Sequence, residues 1–206
     1  MAKFELFKKK EKVEEEKLTW QQSLVRDLRD LLLVLAVFMI IYILLFRVVV
    51  VVGGSMNNTL INGDRLVLQS NVFYRNPKQG DIIVASKESF DNGNCIIKRV
   101  IATEGQLVDI KDGIVYVDGQ PLDEQYTKEY NRTFLMGAGN MDFPQIVPEG
   151  HLFVLGDNRG GSLDSRKTQI GFVDKREVLG KAIFLMMPGK DAVTGEKDNS
   201  RIGVVD

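Results

Sequence analysis

Leu31-Leu-Leu-Val-Leu-Ala-Val-Phe-Met-Ile-Ile-Tyr-Ile-Leu-Leu-Phe46 carries no charge, and after Arg47 the chain continues as Val48-Val-Val-Val-Val-Gly-Gly-Ser-Met-Asn-Asn-Thr-Leu60. The fold turns on this join. Before it, a helix drawn through residues 31–46 is apolar on every side, which demands lipid or a deep core around it. After it, β-branched residues and glycines take over, and these favour strands and tight turns.

Three readings compete for the apolar stretch. A helix buried in a soluble core would need complete enclosure inside a small protein. A cleaved secretory signal would have a shorter apolar run, of about 7–15 residues, and a small-x-small pattern after it. An uncleaved membrane anchor fits best. At 1.5 Å per residue the uncharged run covers about 24 Å, short of the ~30 Å hydrocarbon core. Leu28 on one side and a snorkelling Arg47 on the other supply the missing length. Residues 1–30 mix eight basic and seven acidic side chains and read as a solvated leader, kept cytoplasmic by the positive-inside tendency. The expected organisation is a leader at 1–30, an anchor at 31–47, an extracytoplasmic β domain at 48–189 and a polar tail at 190–206.

Composition narrows the chemistry. At 206 residues the chain holds about one domain plus an appendage. Lys+Arg 27 against Asp+Glu 28 gives a net charge of −1, so no global positive field points to nucleic acid. Cys95 is the sole cysteine and His151 the sole histidine, which excludes an internal disulfide, a Cys-rich zinc site and His-pair metal motifs. Neither cofactor nor metal is expected.

Beyond Gly53 the periodicity is that of strands. Arg65-Leu-Val-Leu-Gln69, Asp81-Ile-Ile-Val-Ala85, Cys95-Ile-Ile-Lys-Arg-Val-Ile101, Leu107-Val-Asp-Ile110, Ile114-Val-Tyr-Val117, Leu152-Phe-Val-Leu155 and Ala182-Ile-Phe-Leu-Met-Met187 are short β-branched or aromatic runs. Asn62-Gly63, Gln79-Gly80, Asp112-Gly113 and Asp118-Gly119 punctuate them. Only residues 174–181 look briefly helical, and residues 123–146 and the tail after Pro188 read as loops. The fold class is mainly β, on a single N-terminal transmembrane helix.

Ser55 follows two glycines at the end of a strand-like valine run, where a nucleophile would have substrate backbone and N–H groups close by. A flexible, self-capped turn is the plainer reading of the same residues. A serine nucleophile needs a proton acceptor, and His151 sits in no recognisable motif. Lys98 is the better candidate. Strand alternation puts Ile96, Lys98 and Val100 on one face and Ile97, Arg99 and Ile101 on the other, so a cation lies against apolar surface whichever face is buried. Burial disfavours the ammonium form and can make the amine a base, whereas arginine stays protonated. After the strand at 152–155 comes Gly156-Asp-Asn-Arg-Gly-Gly-Ser-Leu-Asp-Ser-Arg166. Its Asp157, Arg159, Asp164 and Arg166 can pair and stiffen a loop that carries Ser162.

Taken together in this order, the anchor, Gly53 to Leu60, Gly80 to Val84, Lys98 to Ile101, Val147 to Leu155, the Gly-Asp-Asn-Arg loop and Gly180-Lys-Ala182 resemble the type I signal peptidases of the S26 family. The resemblance implies a β-rich, LexA-like catalytic domain and a membrane-bound Ser/Lys serine endopeptidase. Its partners would be exported preproteins with small residues before the cleavage site, and the lipid bilayer. Ser55 would attack the scissile carbonyl, Lys98 would remove its proton, and the Ser55 N–H would meet the oxyanion. Ser162 would orient Lys98, supported by Asp157, Arg159, Asp164 and Arg166. With regular alternation, Val49 and Val51, joined by Val84 and Ile97, would line shallow apolar pockets. A single anchor with a short catalytic domain is more like the Gram-positive members. Asn58 replaces a proline usual in the family, so the turn after Ser55 loses a fixed φ, and Gly160-Gly161 replaces a site where asparagine is common. A silent anchored β module binding export or envelope partners is the alternative. A LexA-like self-cleaving repressor would need a DNA-binding segment where the membrane span stands.

Overall fold

Thr19 opens the first element with a capping box: the Gln22 side chain accepts from the Thr19 N–H at 2.9 Å, and the Gln22 N–H lies 3.4 Å from the Thr19 hydroxyl. From there helix α1, Trp20–Leu45, runs 26 residues, or about 39 Å at 1.5 Å per residue. It is long and apolar enough to cross a membrane. The helix thus begins well before the uncharged stretch and needs no help from Arg47, which lies beyond its end in a strand. In the computed structural model the described residues are 19–86, 95–127, 132–135 and 137–205; the leader up to residue 18 lies outside them. Residues 1–41 and 42–206 form separate units.

Valines lose side-chain freedom in a helix and fit a pleated strand, and the chain turns directly into β1, Phe46–Val50. It is followed by β2 Arg65–Ser70, β3 Ile82–Ser86, β4 Cys95–Thr103, β5 Leu107–Lys111, β6 Ile114–Val117, β7 Gln120–Pro121, β8 Gln145–Ile146, β9 His151–Leu155, β10 Val173–Asp174, β11 Val178–Met187 and β12 Gly203–Val204. All pairings are antiparallel. One sheet has the order β1-β2-β11-β3-β4-β9-β10 with β12 on β11, and the other is β7-β6-β5-β8. The domain is mainly β, as its alternating runs imply.

Three apolar clusters hold it together. Val51, Met56 and Leu60 pack with Leu66, Leu68, Ile82, Val84 and Ala182. Ile83, Val100, Leu152 and Val154 form a second cluster with Ile170, Val173 and Val178. Ile101, Phe153 and Leu155 join the small sheet through Val108, Val115 and Val117. Burying each such side chain is worth roughly 1.5–3 kcal/mol before entropy is charged against it. Alternation in β4 holds for its apolar members: Ile96 and Val100 belong to the second cluster, Ile97 to the first and Ile101 to the third.

Three sequence expectations are corrected. Residues 174–181 are not helical: a capping box from Asp174 to Glu177 starts one 3-10 turn, Lys175–Glu177, and then Val178 enters β11. Alternating burial along β11 wins over the helix start, and at Gly180 the strand passes so close to Gln69 that a Cβ would strike its carbonyl. Residues 145–146, read as loop, pair with β5. The stretch 190–206 is a docked segment as well as a polar one. Val205 is buried in the first cluster, and Arg201 pairs with buried Asp64 through Nη1 at 3.0 Å and Nη2 at 2.7 Å.

Candidate active site

Strand β1 ends at Val50, and residues 53–59 form turns. Ser55 is therefore not carried outward by continued alternation. It is pinned from both sides, because Val51 and Met56 are buried in the first cluster while Gly53 between them is exposed and Gly54 half-buried. Lys98 reaches this turn from β4. Its Nζ lies 2.8 Å from Ser55 Oγ and donates to the Ile97 carbonyl at 3.1 Å.

Lys98 is 4% exposed. Burial is the dominant influence on its titration and lowers it; Asp164 and Asp157 oppose this, Arg166 adds to it, and the pKa comes to about 8. At pH 7 to 8 a useful fraction of the amine is neutral, within hydrogen-bond distance of a hydroxyl. His151 is elsewhere in the fold, its Nδ1 2.8 Å from the Glu149 carbonyl oxygen.

The two groups meet because three segments are tied by buried polar contacts. Asp157 receives both Arg99 Nε at 3.0 Å and Arg99 Nη2 at 2.8 Å, and the Thr59 hydroxyl donates to it at 2.5 Å. Arg99 follows Lys98 in β4, and Thr59 lies four residues beyond Ser55, so one carboxylate gathers the strand of Lys98 and the turn of Ser55. Arg99 also donates to the Gly80 carbonyl at 2.9 Å and lies 4.0 Å from the Tyr126 ring centroid.

The loop at 156–166 is built differently from the sequence expectation. Asp164 and Arg166 do pair, through Nε at 2.7 Å and Nη2 at 2.9 Å, and Arg166 Nη2 also donates to the Arg159 carbonyl at 2.8 Å. Asp157 and Arg159, however, pair outside the loop. Arg159 forms a buried fork with Glu124, Nη1 to Oε2 at 2.8 Å, and donates to Thr133 Oγ1 and to the Gly156 carbonyl at 3.0 Å. Glu124 lies in the polar stretch read as loop, and no local pattern marks it.

Ser162 departs from its expected contact. Its Oγ is buried and has no hydrogen-bond partner among the described residues, Lys98 included. It packs at Gly156, where any Cβ would collide with both Ser162 Oγ and the Ser55 carbonyl oxygen. Asn58 is also a correction. Its φ is +108° and its Nδ2 donates to the Tyr126 carbonyl at 3.1 Å. A proline, confined near −65°, could not adopt this turn, so asparagine here provides a different turn rather than a looser one.

Beside the Lys98–Ser55 pair is a cavity of about 740 Å³. Val49, Val51, Val84 and Ile97 all line it, with Leu163 and Ile170 among the others, and Lys98 is the only charged residue among the described lining. The arrangement suits an extended, mostly apolar chain presented to a hydroxyl and an amine.

Comparison with known proteins gives a concordant picture. A family model described as signal peptidase, peptidase S26, matches residues 24–187. A probable signal peptidase I-1 of Synechocystis sp. is 40% identical over 66% of this chain and 68% of its own length. A signal peptidase I of Bacillus licheniformis is 34% identical over 85% of this chain and 95% of its own. A crystal structure of a signal peptidase I from Enterococcus faecalis V583 aligns at 36% identity with a TM-score of 0.42, covering 52% of this chain and 96% of that one.

Proposed function

The chain belongs to the signal peptidase family S26 and is a serine endopeptidase that removes signal peptides from exported preproteins, and on that premise we propose that Ser55 is its nucleophile and Lys98 its general base. The observation that carries this reading is the 2.8 Å separation of Lys98 Nζ and Ser55 Oγ, made by a lysine whose pKa burial brings down to about 8.

In this reading the Ser55 hydroxyl donates to the neutral Lys98 amine. As Oγ attacks the scissile carbonyl carbon, the proton passes to Nζ and negative charge gathers on the carbonyl oxygen. The Ser55 N–H meets that oxyanion; Gly53, two residues before, adds no side-chain donor. Collapse breaks the C–N bond, and Lys98 ammonium gives its proton to the departing amine. The acyl-enzyme is then attacked by a water that loses its proton to Lys98, which restores Ser55 Oγ–H on release. A neutral amine has one lone pair and two N–H groups. Ser55 uses the lone pair and the Ile97 carbonyl one N–H, so the unpartnered Ser162 hydroxyl is a suitable acceptor for the second as a positioning group.

Val49, Val51, Val84 and Ile97 are assigned to shallow pockets for small side chains upstream of the cut, which their place in the cavity wall supports. Helix α1 is the single membrane anchor, with the N-terminus cytoplasmic and the catalytic domain outside. A Gram-positive source is favoured by the Bacillus relative aligned over most of the chain.

Cleavage of a preprotein by detergent-solubilised wild type, Ser55→Ala and Lys98→Ala proteins tests the dyad. Product forms only with wild type, both variants losing at least about a thousandfold, as expected when an activated nucleophile or its base is removed. Turnover surviving in Ser55→Ala overturns the assignment.

A further inference from the structure

Asn158 holds the backbone on both sides of the proposed nucleophile. Its Nδ2 donates to the Gly54 carbonyl at 2.9 Å, and its own N–H donates to the Ser55 carbonyl at 3.0 Å. Asn57 N–H adds a second donor to the Gly54 oxygen at 3.1 Å. In a trans peptide the C=O and the following N–H point in opposite directions. Fixing the Gly54 oxygen against Asn158 and Asn57 therefore aims the Ser55 N–H away from both. Ser55 lines the cavity, and its N–H makes no hydrogen bond among the described residues. We infer that Asn158 is a positioning residue for oxyanion stabilisation: its side chain sets the Gly54–Ser55 peptide plane so that the Ser55 N–H is held toward the reacting carbonyl.

Gly161 belongs to the same device. A Cβ there would lie 2.6 Å from Asn158 Nδ2, tighter than real contacts allow. In this chain Gly161 leaves room for the Asn158 side chain in the position from which it reaches Gly54. Lys98 is not part of the arrangement: its contacts are Ser55 Oγ and the Ile97 carbonyl, so the device acts on the oxyanion and not on the base.

This inference rests on the Ser55/Lys98 reading, and its test separates the two. Asn158→Ala keeps the backbone N–H bond to Ser55 and removes only the side-chain donor; Gly161→Ala keeps every polar group and displaces that donor. The probes are a preprotein substrate, a peptide aldehyde ending in alanine, and the same peptide as a non-reactive amide. On the aldehyde a bond forms between Ser55 Oγ and the carbonyl carbon, the hydroxyl proton goes to Lys98, and the aldehyde oxygen becomes the oxyanion. Both variants are expected to lose roughly ten- to a hundredfold in kcat with KM within about twofold, the scale set by a mispositioned or lost oxyanion donor. Aldehyde affinity falls by a similar factor, amide affinity is unchanged, and the acid limb of the pH profile stays where it is in wild type. Unchanged kcat, equal weakening of aldehyde and amide, or a displaced acid limb each overturns the role given to Asn158. None of these touches the dyad, which falls if Ser55→Ala still cleaves or Lys98→Ala leaves the pH profile intact.

Discussion

A lysine amine serves as a base near neutral pH only when its ammonium form is made costly, and that cost is also a stability effect. With Lys98 brought from 10.5 down to about 8, the unfolded chain binds more protons than the folded one between those values. Stability therefore rises with pH through that window, and below pH 8 the folded state bears the whole penalty, on the order of 3 kcal/mol. Lys98→Met, similar in length and neutral, should melt at a higher temperature than wild type at pH 6, and the gap should close between pH 8 and 10.5. A lower melting temperature for Lys98→Met at pH 6 contradicts this. The sequence already marked Ser55 and Lys98, since a serine after two glycines and a cation in an apolar strand are local features. It did not mark Asn158, whose importance lies in two carbonyls more than a hundred residues away in the chain. Nor did it foresee that Ser162 would pack against Gly156 without a bond to Lys98.

At the scale of elements, the Ser55 turn, strand β4 and the loop at 156–166 are joined by the buried Arg99–Asp157 ion pair and the Thr59 hydroxyl bond to it rather than by apolar contact alone. Such pairs repay little over an apolar replacement, but leaving one partner uncompensated costs about 3–5 kcal/mol. Glu124→Ala strands the buried Arg159 guanidinium and should lower the free energy of unfolding measured in urea by that amount, whereas Arg176→Ala, which removes an exposed guanidinium paired with Asp174, should leave it nearly unchanged. Equal effects would mean that the Arg159 fork does not anchor the loop. Most strands were legible because β-branched runs and Asp-Gly turns are short-range signals. Residues 174–181 misled because a good capping box is also local, while the sheet pairing that stops the helix comes from β2 and β3. Glu124 was invisible for the same reason, its partner being supplied by a distant loop.

For the whole molecule, the boundary between lipid-seeking and water-facing chain was legible from hydropathy, but the helix start was not, because residues 20–30 are charged and the capping Thr19 and Gln22 had to be read instead. Orientation across the membrane can be tested with the single cysteine. Cys95 is exposed and lines the cavity, so a membrane-impermeant maleimide should label it in intact cells, and a saturating substrate-like peptide should slow labelling. Labelling only after permeabilisation contradicts an external catalytic domain. The central claim is that a buried, neutral Lys98 activates Ser55, and the pH dependence of kcat/KM for preprotein cleavage by the full-length protein tests it most directly. The rate should be half-maximal near pH 8, where the amine titrates, and fall about tenfold for each pH unit below that. A rate that stays level from pH 5 to pH 9 would contradict it.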